Sequence, residues 1–572
     1  MTKQTIEKLK KITRENSSSV QYVNAQIKLF EHYYYSLIDP KTALEYLSNI
    51  TQEDDEVKYG FVQSTIGNIY YQEEQLQNLK LAKSYWENAL KINADFLGKE
   101  RVKLSLSILY LIEKDINAAI TLLESVNNNI DYPKYFYDMV NSNLAFLYFK
   151  NGEKDKAVQK WIEFSTYYEK NNFEHKISFQ LYVYTQLYLF TYENEEKYIH
   201  DLYKKNFLFD EFKLNDYVLD LFKDIFSSNF YFQLSKIFCD IALIRDELLI
   251  DVSNSLWERK LAHYTNTEVI NSLLSATNSH LRLNNIYNMN DPTEGIVINS
   301  YIGMKDENSD KTEAVLTSNI EYVPFIACFT FNHDSLNQFR LYGKTNNQEA
   351  TGVSLVLSEN FFGIDLGLTQ SIRMTHKLDV TDIELINIKT LSQAVYRCIY
   401  IDPKTNYISI AKRNKSTFYR EYRCGQQTKN LEDIEIEWIN YSNFINEKEK
   451  RVNELLNNLK DKIEKVLLND KHDEILRLIN LSLLPLKFLV KHIAFEDEQE
   501  CRICYISSLK DKNIVMDFQK QWLFIDYPAP VKPNLKYIYV ATGAKKFYPF
   551  IIKLMDGQSD KVKISDNPFR IN

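Results

Sequence analysis

Residues 495 to 506 read FEDEQECRICYI, and Glu498, Glu500 and Arg502 stand there at alternate positions. Alternate side chains of a strand point the same way, so the three charges are expected to share one face. Gln499, Cys501, Ile503 and Tyr505 share the other. Two carboxylates beside a guanidinium support three readings. A carboxylate can stabilise an oxocarbenium-like state, with Arg502 keeping Glu500 ionised. Carboxylates can instead be oxygen ligands for magnesium, here Asp291, Glu294, Glu498 and Glu500, in a nuclease. Or the charges form an ion-paired ladder on a sheet face, with His263 a satisfied core histidine.

Other residues could complete such a centre: His263 and Tyr264 in LAHYTN, and Gln338, Arg340 and Tyr342 in FNHDSLNQFRLYGK. Local structure explains some of the punctuation. In MNDPTEG, Asp291, Pro292 and Glu294 match the N-cap, N1 and N3 positions of a helix start. Asp334 or Ser335 can cap a short helix that Gly343 ends. Several chemistries lack their parts, because the chain has no G-x-x-x-x-G-K-[ST], H-E-x-x-H, G-x-S-x-G or G-x-G-x-x-G. Six cysteines, at 239, 328, 398, 424, 501 and 504, are too few and too scattered for a disulfide scaffold. Cys501 and Cys504 form a C-x-x-C that a strand would split between its faces, so no metal site is expected there. Of the other histidines, His333 lies beside Asp334 at a helix mouth and His492 reads as structural.

The elements that must position these residues follow from composition and period. A chain of 572 residues, 45% hydrophobic and 14% aromatic, is too long for one core and predicts two or more domains. Thirteen glycines and 11 prolines suit long helices better than a turn-dense all-β fold. The net charge of -8 argues against broad, sequence-independent DNA binding. The start lacks a secretory signal, and the most apolar window, 478 to 490, is broken by Asn480, Pro485 and Lys487. A cytoplasmic protein without a membrane partner is expected.

Residues 143 to 164, NLAFLYFKNGEKDKAVQKWIEF, place Leu144, Ala145, Tyr148, Ala157, Trp161 and Phe164 at the small and large apolar positions of a helical hairpin turning at Asn151 and Gly152. An earlier copy has Gly67 and Tyr70 on one helix and Ala82, Trp86 and Ala89 on the next. Weaker copies centre on Ala43 and Ala118, and the alanines at 43, 82, 118 and 157 are 36 to 39 residues apart. This pattern resembles tetratricopeptide repeats. It predicts an all-α solenoid over 1–254, whose concave face would bind a protein or peptide or act as a dimerisation arm, which allows a homo-oligomer.

After 255 the helical period gives way to short apolar runs, among them KLAHYT, HLRLNN, VPFIACFTF, GVSLVLS, AVYRCIYID, QECRICYI, KYIYVAT and KVKIS. An α+β domain is expected over 255–572, with a helical insertion near 440–490 that includes a charged helix over 445 to 469.

HYTN at 263 to 266, LRLNNIYNMNDPTEG, CFTFNHDSLNQFRLYGK followed by TGVSLVL, FEDEQECRI and the closing NPFRI together resemble, in order, the bacterial family called domain of unknown function 2971. The family often has tryptophan before the arginine of E-x-E-W-R, where this chain has Cys501. The resemblance implies no established reaction; it suggests a role in bacterial defence against phage. A more distant resemblance is to mono-ADP-ribosyltransferases, which pair an early-strand histidine with a late-strand E-x-E. It implies NAD as substrate, His263 and Glu500 at the reacting centre and Glu498 positioning the acceptor, which includes nucleic acid. The NAD-contacting set would be His263, Tyr264, Arg340, Tyr342 and Arg502, the last binding a pyrophosphate oxygen, and neither Thr330 nor Tyr342 clearly matches the middle-strand residue. The whole would be a defence effector under a sensing arm, the trigger being a phage protein. The alternatives are a magnesium-dependent nuclease and a non-catalytic interaction scaffold.

Overall fold

The computed structural model describes residues 3–37, 39–73, 76, 78–96, 98–127, 132, 134–172, 176–204, 216–250, 257–288, 295–304, 322–344, 348–362, 394–424, 429–469 and 473–568. Up to residue 250 these are almost entirely helical. The first nine helices are α1 (Lys3–Lys10), α2 (Ser19–Glu31), α3 (Pro40–Ser48), α4 (Glu56–Gln72), α5 (Leu79–Lys91), α6 (Lys99–Ile112), α7 (Ile116–Glu124), α8 (Lys134–Lys150) and α9 (Lys154–Lys170). Their starts are set by local chemistry. Ser18 and Gln21 form a capping box at α2, and Asp39, Asp55, Asn78 and Asp115 each accept a first-turn amide at α3, α4, α5 and α7.

Consecutive helices pack on one another from α2 to α8, except that α3 meets α4 over a smaller area. Ala43, Ala82, Ala119 and Ala157 are fully buried. Ala119, not the expected Ala118, occupies the third close position, which makes the spacings 39, 37 and 38. A second contact recurs with them. Tyr110 on α6 donates to Glu87 on α5 at 3.1 Å, and Tyr148 on α8 donates to Glu124 on α7. In each case a tyrosine hydroxyl reaches a carboxylate of the immediately preceding helix.

The chain divides into two compact units: one comprises the described residues up to Lys160 with those of Glu421–Ile436, the other those of Trp161–Gln370, Glu384–Arg420 and Glu437–Asn572. The helix-to-strand change near 255 is present, since Tyr231–Leu248 is the last helix before the first strand at Leu261. The helical residues from Trp161 onward nevertheless pack in the same unit as the strands. The expected long charged helix runs over Leu431–Asn469 and is followed by Asp473–Lys487. Arg451 and Lys462 tie it to Glu247 and Asp240 of Tyr231–Leu248, at 2.6 Å each. Among the described residues no helix is long and apolar enough to cross a membrane.

The strands are β1 (Leu261–Thr265), β2 (His280–Asn285), β3 (Tyr322–Thr330), β4 (Val353–Leu357), β5 (Val395–Arg397), β6 (Ile399–Asp402), β7 (Tyr407–Ile410), β8 (Val490–His492), β9 (Glu500–Ser508), β10 (Ile514–Asp517), β11 (Trp522–Pro530), β12 (Leu535–Val540) and β13 (Val562–Ile564). Ten of them form one mixed sheet, in the order β10-β11-β2-β3-β1-β4-β12-β13, with β9 on the other edge of β3 and β5 beyond it. The short strands β7, β6 and β8 make a second sheet. Strand β3 is the branch point. It pairs with β9 along its whole length, but on its other edge it pairs with β2 through Ile326 and with β1 through Thr330. The sheet therefore forks between β1 and β2. One face carries the main core, including Leu261, Leu283, Phe325, Phe329, Leu355, Cys501 and Ile503.

Gly67 faces Trp86 so closely that an added Cβ would lie 2.5 Å from the indole. Trp86 is fully buried and cannot swing aside. Gly67→Ala is expected to destabilise this unit by about 1–3 kcal/mol through overpacking, despite the gain of ~1 kcal/mol in helix propensity. Urea unfolding followed by tryptophan fluorescence tests this; unchanged stability would show that α4 and α5 do not cross closely at this point.

Candidate functional site

The FEDEQECRICYI segment is only partly strand. Ile493–Glu498 is a 3-10 turn, Gln499 adopts a left-handed conformation with φ of 45°, and β9 begins at Glu500. Glu498 therefore does not alternate with Glu500 and Arg502 along one strand, as the spacing suggested. It arrives beside Glu500 because the turn folds it there. Thr330 Oγ1 and Gln338 Nε2 donate to its carbonyl, at 2.7 and 3.2 Å, and the Tyr400 hydroxyl accepts from the Glu500 amide at 2.7 Å.

A residue that the motif did not announce completes the centre. Lys491 on β8 places its ammonium 2.5 Å from Glu498 Oε2 and 2.6 Å from Glu500 Oε2. Arg502 donates to both oxygens of Glu500, through Nε at 2.9 Å and Nη2 at 3.1 Å, and through Nη1 to the Phe488 carbonyl at 2.7 Å. Glu498 Oε1 accepts from the Tyr342 hydroxyl at 2.7 Å. The sequence signal for Lys491 was a lysine inside the apolar run KFLVKHIAF, where an ammonium is retained only with a partner.

Glu498 and Glu500 are each 6% exposed, Lys491 3% and Arg502 1%, whereas Tyr342 is 42% exposed. Tyr342 is thus the open end of a buried network. Burial alone would push the Glu500 pKa up, but Arg502 and Lys491 outweigh it and hold the carboxyl far below its usual range. Burial would likewise favour a neutral Lys491, and Glu500 and Glu498 reverse that, holding it protonated. The Tyr342 phenol is pushed well up, first by burial and then by the Glu498 charge.

Strand register assigns the faces. Glu500 pairs with Thr330 and Arg502 with Cys328, while Thr330 pairs with Ala262, so this row shares a face with Tyr264. His263 belongs to the opposite face. It pairs with Leu355, and its ring lies 5.8 Å from that of Phe329 within the main core. The structure thus separates His263 from Glu500 by the thickness of the sheet. Its Nδ1 is 2.9 Å from the Cys328 carbonyl, between the pairings of β3 with β2 at Ile326 and with β1 at Thr330. Burial lowers its pKa, which keeps the ring neutral.

The remaining expected residues divide. Tyr264 is a brace: its hydroxyl donates to the Asn332 carbonyl at 2.7 Å and accepts from the Ser335 amide at 2.8 Å. Arg340 lies at the surface and pairs with Glu349 at 2.9 Å. Arg502 has its donors engaged internally and turns none toward a pyrophosphate. Gln338 and Tyr342 reach the centre from the short helix Leu336–Leu341, which Ser335 caps. Asp291 and Glu294 lie outside the described residues. Magnesium does not fit this arrangement of Glu498 and Glu500, because Lys491 already occupies the position between them. Among the described residues no group of three or more His, Cys, Asp or Glu could hold a metal ion. Cys501 and Cys504 do fall on opposite faces, the former in the main core and the latter against the Ile286, Ile326 and Phe488 cluster.

Lys491→Met would leave two buried carboxylates with one cation. A loss of about 3–5 kcal/mol is expected at neutral pH, against at most ~1 kcal/mol for Arg340→Ala at the exposed pair. The folded-state pKa of Glu500 is depressed, so its contribution is present above the ordinary value of 4.5 and is lost as pH falls through the folded value. That of Lys491 is raised, so its contribution is present below 10.5 and is lost as pH rises through the folded value. The Lys491→Met defect should accordingly shrink on acidification from pH 7 to 4, as the unpaired carboxylates take up protons. Denaturant titrations across that range measure it, and a pH-independent defect would contradict the network.

No family model matches the chain, and no curated protein or solved structure matches it either. The resemblances drawn above rest on the residues that carry them.

Proposed function

We propose that the protein is a two-part effector. The helical hairpins of the first unit form a tetratricopeptide-like solenoid that docks a protein or peptide, and the mixed-sheet unit carries a carboxylate centre held closed by its own cations. The recurring buried alanines and tyrosine-to-glutamate contacts support the first part. One observation carries the second: side chains from β3, β8 and the segment 336–342 converge on Glu498, and Tyr342, the exposed one among them, bonds its Oε1.

The chemistry to test first is ADP-ribosyl transfer from NAD, in bacterial defence against phage. In this reading the roles differ from those implied by resemblance. Glu498, freed from Tyr342, is the carboxylate that faces the developing positive charge of the ribose, while Lys491, itself paired with Glu500, holds it in place. His263 and Arg340 take no part in binding NAD. A nucleic acid or a protein is the acceptor, and a ligand on the helical arm shifts the centre from closed to open by binding the open form more tightly. A non-catalytic scaffold is the second reading, favoured by the internal pairing of all four buried charges.

Radiolabelled NAD, incubated with wild type, Glu498→Gln or Tyr342→Phe in phage-infected lysate and with added nucleic acid, decides between the two. Label transfer or nicotinamide release by wild type that falls about 100-fold or more in Glu498→Gln supports the transferase. Intact NAD under all these conditions would leave the scaffold as the function.

A further inference from the structure

The loop Phe331–Ser335 leads directly from β3 into the short helix that delivers Gln338 and Tyr342. Core groups hold it on one side. Tyr264 bonds Asn332 and Ser335, Ser354 Oγ donates to the His333 carbonyl at 2.7 Å, and His333 Nε2 is 3.1 Å from the Lys260 carbonyl. Asp334 is held differently. Its Oδ1 accepts from Ser565 Oγ at 2.6 Å and from Asn567 Nδ2 at 2.8 Å, and its carbonyl accepts from the same Asn567 group at 3.2 Å. Arg420 lies 3.3 Å from its Oδ2 and also pairs with Asp566.

Ser565 is fixed in turn, donating its amide to the Val540 carbonyl at 2.8 Å as the chain leaves β13. Asp566 and Pro568 beyond it are exposed. The described residues after β13 thus cross the outside of the loop and are fastened there through Asp334, Arg420 and Val540.

We infer that Ser565–Asn567 is a strap whose purchase on Asp334 sets the position of Tyr342 over Glu498, so that Asp334 is a positioning residue of the carboxylate centre. The chain of contacts is short. The strap fixes Asp334, the next residue, Ser335, caps the helix through Gln338 N, and the helix ends in the tyrosine that bonds Glu498. Loosening the strap frees the helix start, while Tyr264 still holds the loop to the core. This gives the closed centre a latch built from the C-terminal segment. It goes beyond the proposed chemistry and does not require it.

Hydrogen–deuterium exchange on the full chain tests the strap without any activity. Asn567→Ala, at a partly buried position outside the strands, should raise amide exchange over residues 336–343 about tenfold and leave β3 and β9 at wild-type rates. Asp334→Ala should do the same, and Asp334→Asn, which keeps an acceptor oxygen for Ser565 and Asn567, should restore most of the protection. A merely structural role for Asp334 predicts exchange spread through β3 and β4 and no rescue by asparagine. Unchanged exchange over 336–343 in Asn567→Ala overturns the strap. Faster exchange there in a protein that never consumes NAD would keep the strap and reject only the transferase.

Discussion

The arrangement of the mixed-sheet unit follows from having to compensate charge at the start of β9. Two carboxylates and two cations lie within its interior, where each ion left unpaired would cost several kcal/mol. Compensation needs Lys491 beside Glu498 and Glu500, so β8 must arrive next to the turn before β9. The small sheet performs that delivery, since β6 pairs with β8 through Tyr400 and Lys491 while the Tyr400 hydroxyl receives the Glu500 amide. The helices that separate β7 from β8 are therefore a loop of the chain closed by strand pairing, since β6 pairs with both β7 and β8. Their length is tolerated because their far end is fixed.

The opposite face of β9 carries a second compensated charge. Arg397 on β5 pairs with Cys501 across the strands, and its guanidinium is bound to Glu258, both residues being 1% exposed at the side chain. Tyr441 of Leu431–Asn469 donates to the same carboxylate at 2.7 Å. The first residues of β9 thus lie between a buried ion network on one face and a buried ion pair on the other. This explains how β9 can hold Gln499 in a left-handed conformation immediately before it, a local strain of about 1–2 kcal/mol that the surrounding bonds offset.

What could be read from the sequence is what depends on short-range pattern. The strands at 261, 280, 322, 353, 500, 535 and 562 carry apolar alternation or short apolar runs, and the alanine period of the first unit comes within one residue of the buried positions. β11 was not legible because it carries Pro528 and Pro530, which ordinarily argue against a strand, and β8 and β10 are too short to show a period. The faces of the site could not be read at all. Which face of a sheet two residues share is fixed by strand register, and register is a long-range property: Ala262 pairs with Thr330, and Thr330 with Glu500, so His263 falls on the wrong parity by a single residue. The partners of Lys491 were hidden for the same reason, since one lies in a turn and the other on a strand of the larger sheet.

The fork gives His263 a role that a catalytic assignment would overlook. Where β3 passes from β2 to β1, the Cys328 carbonyl lies 2.9 Å from His263 Nδ1, and a backbone carbonyl away from water is costly without a donor. An imidazole N–H from the adjacent strand supplies it.

The same accounting of bonds separates the two carboxylates. To free an oxygen of Glu500 for a substrate, a two-bond guanidinium contact and an ammonium contact must be undone in the interior, and charge-assisted bonds of this kind are the strong ones. To free Oε1 of Glu498, one phenol must rotate away, at a cost of roughly 1.5–3 kcal/mol, and that phenol already stands in partial contact with solvent. Any ligand or partner that engages the Tyr342 hydroxyl recovers part of that cost. The motif drew attention to the second glutamate, but the bonding makes the first one the easier to free, with Glu500 serving to keep Lys491 charged beside it.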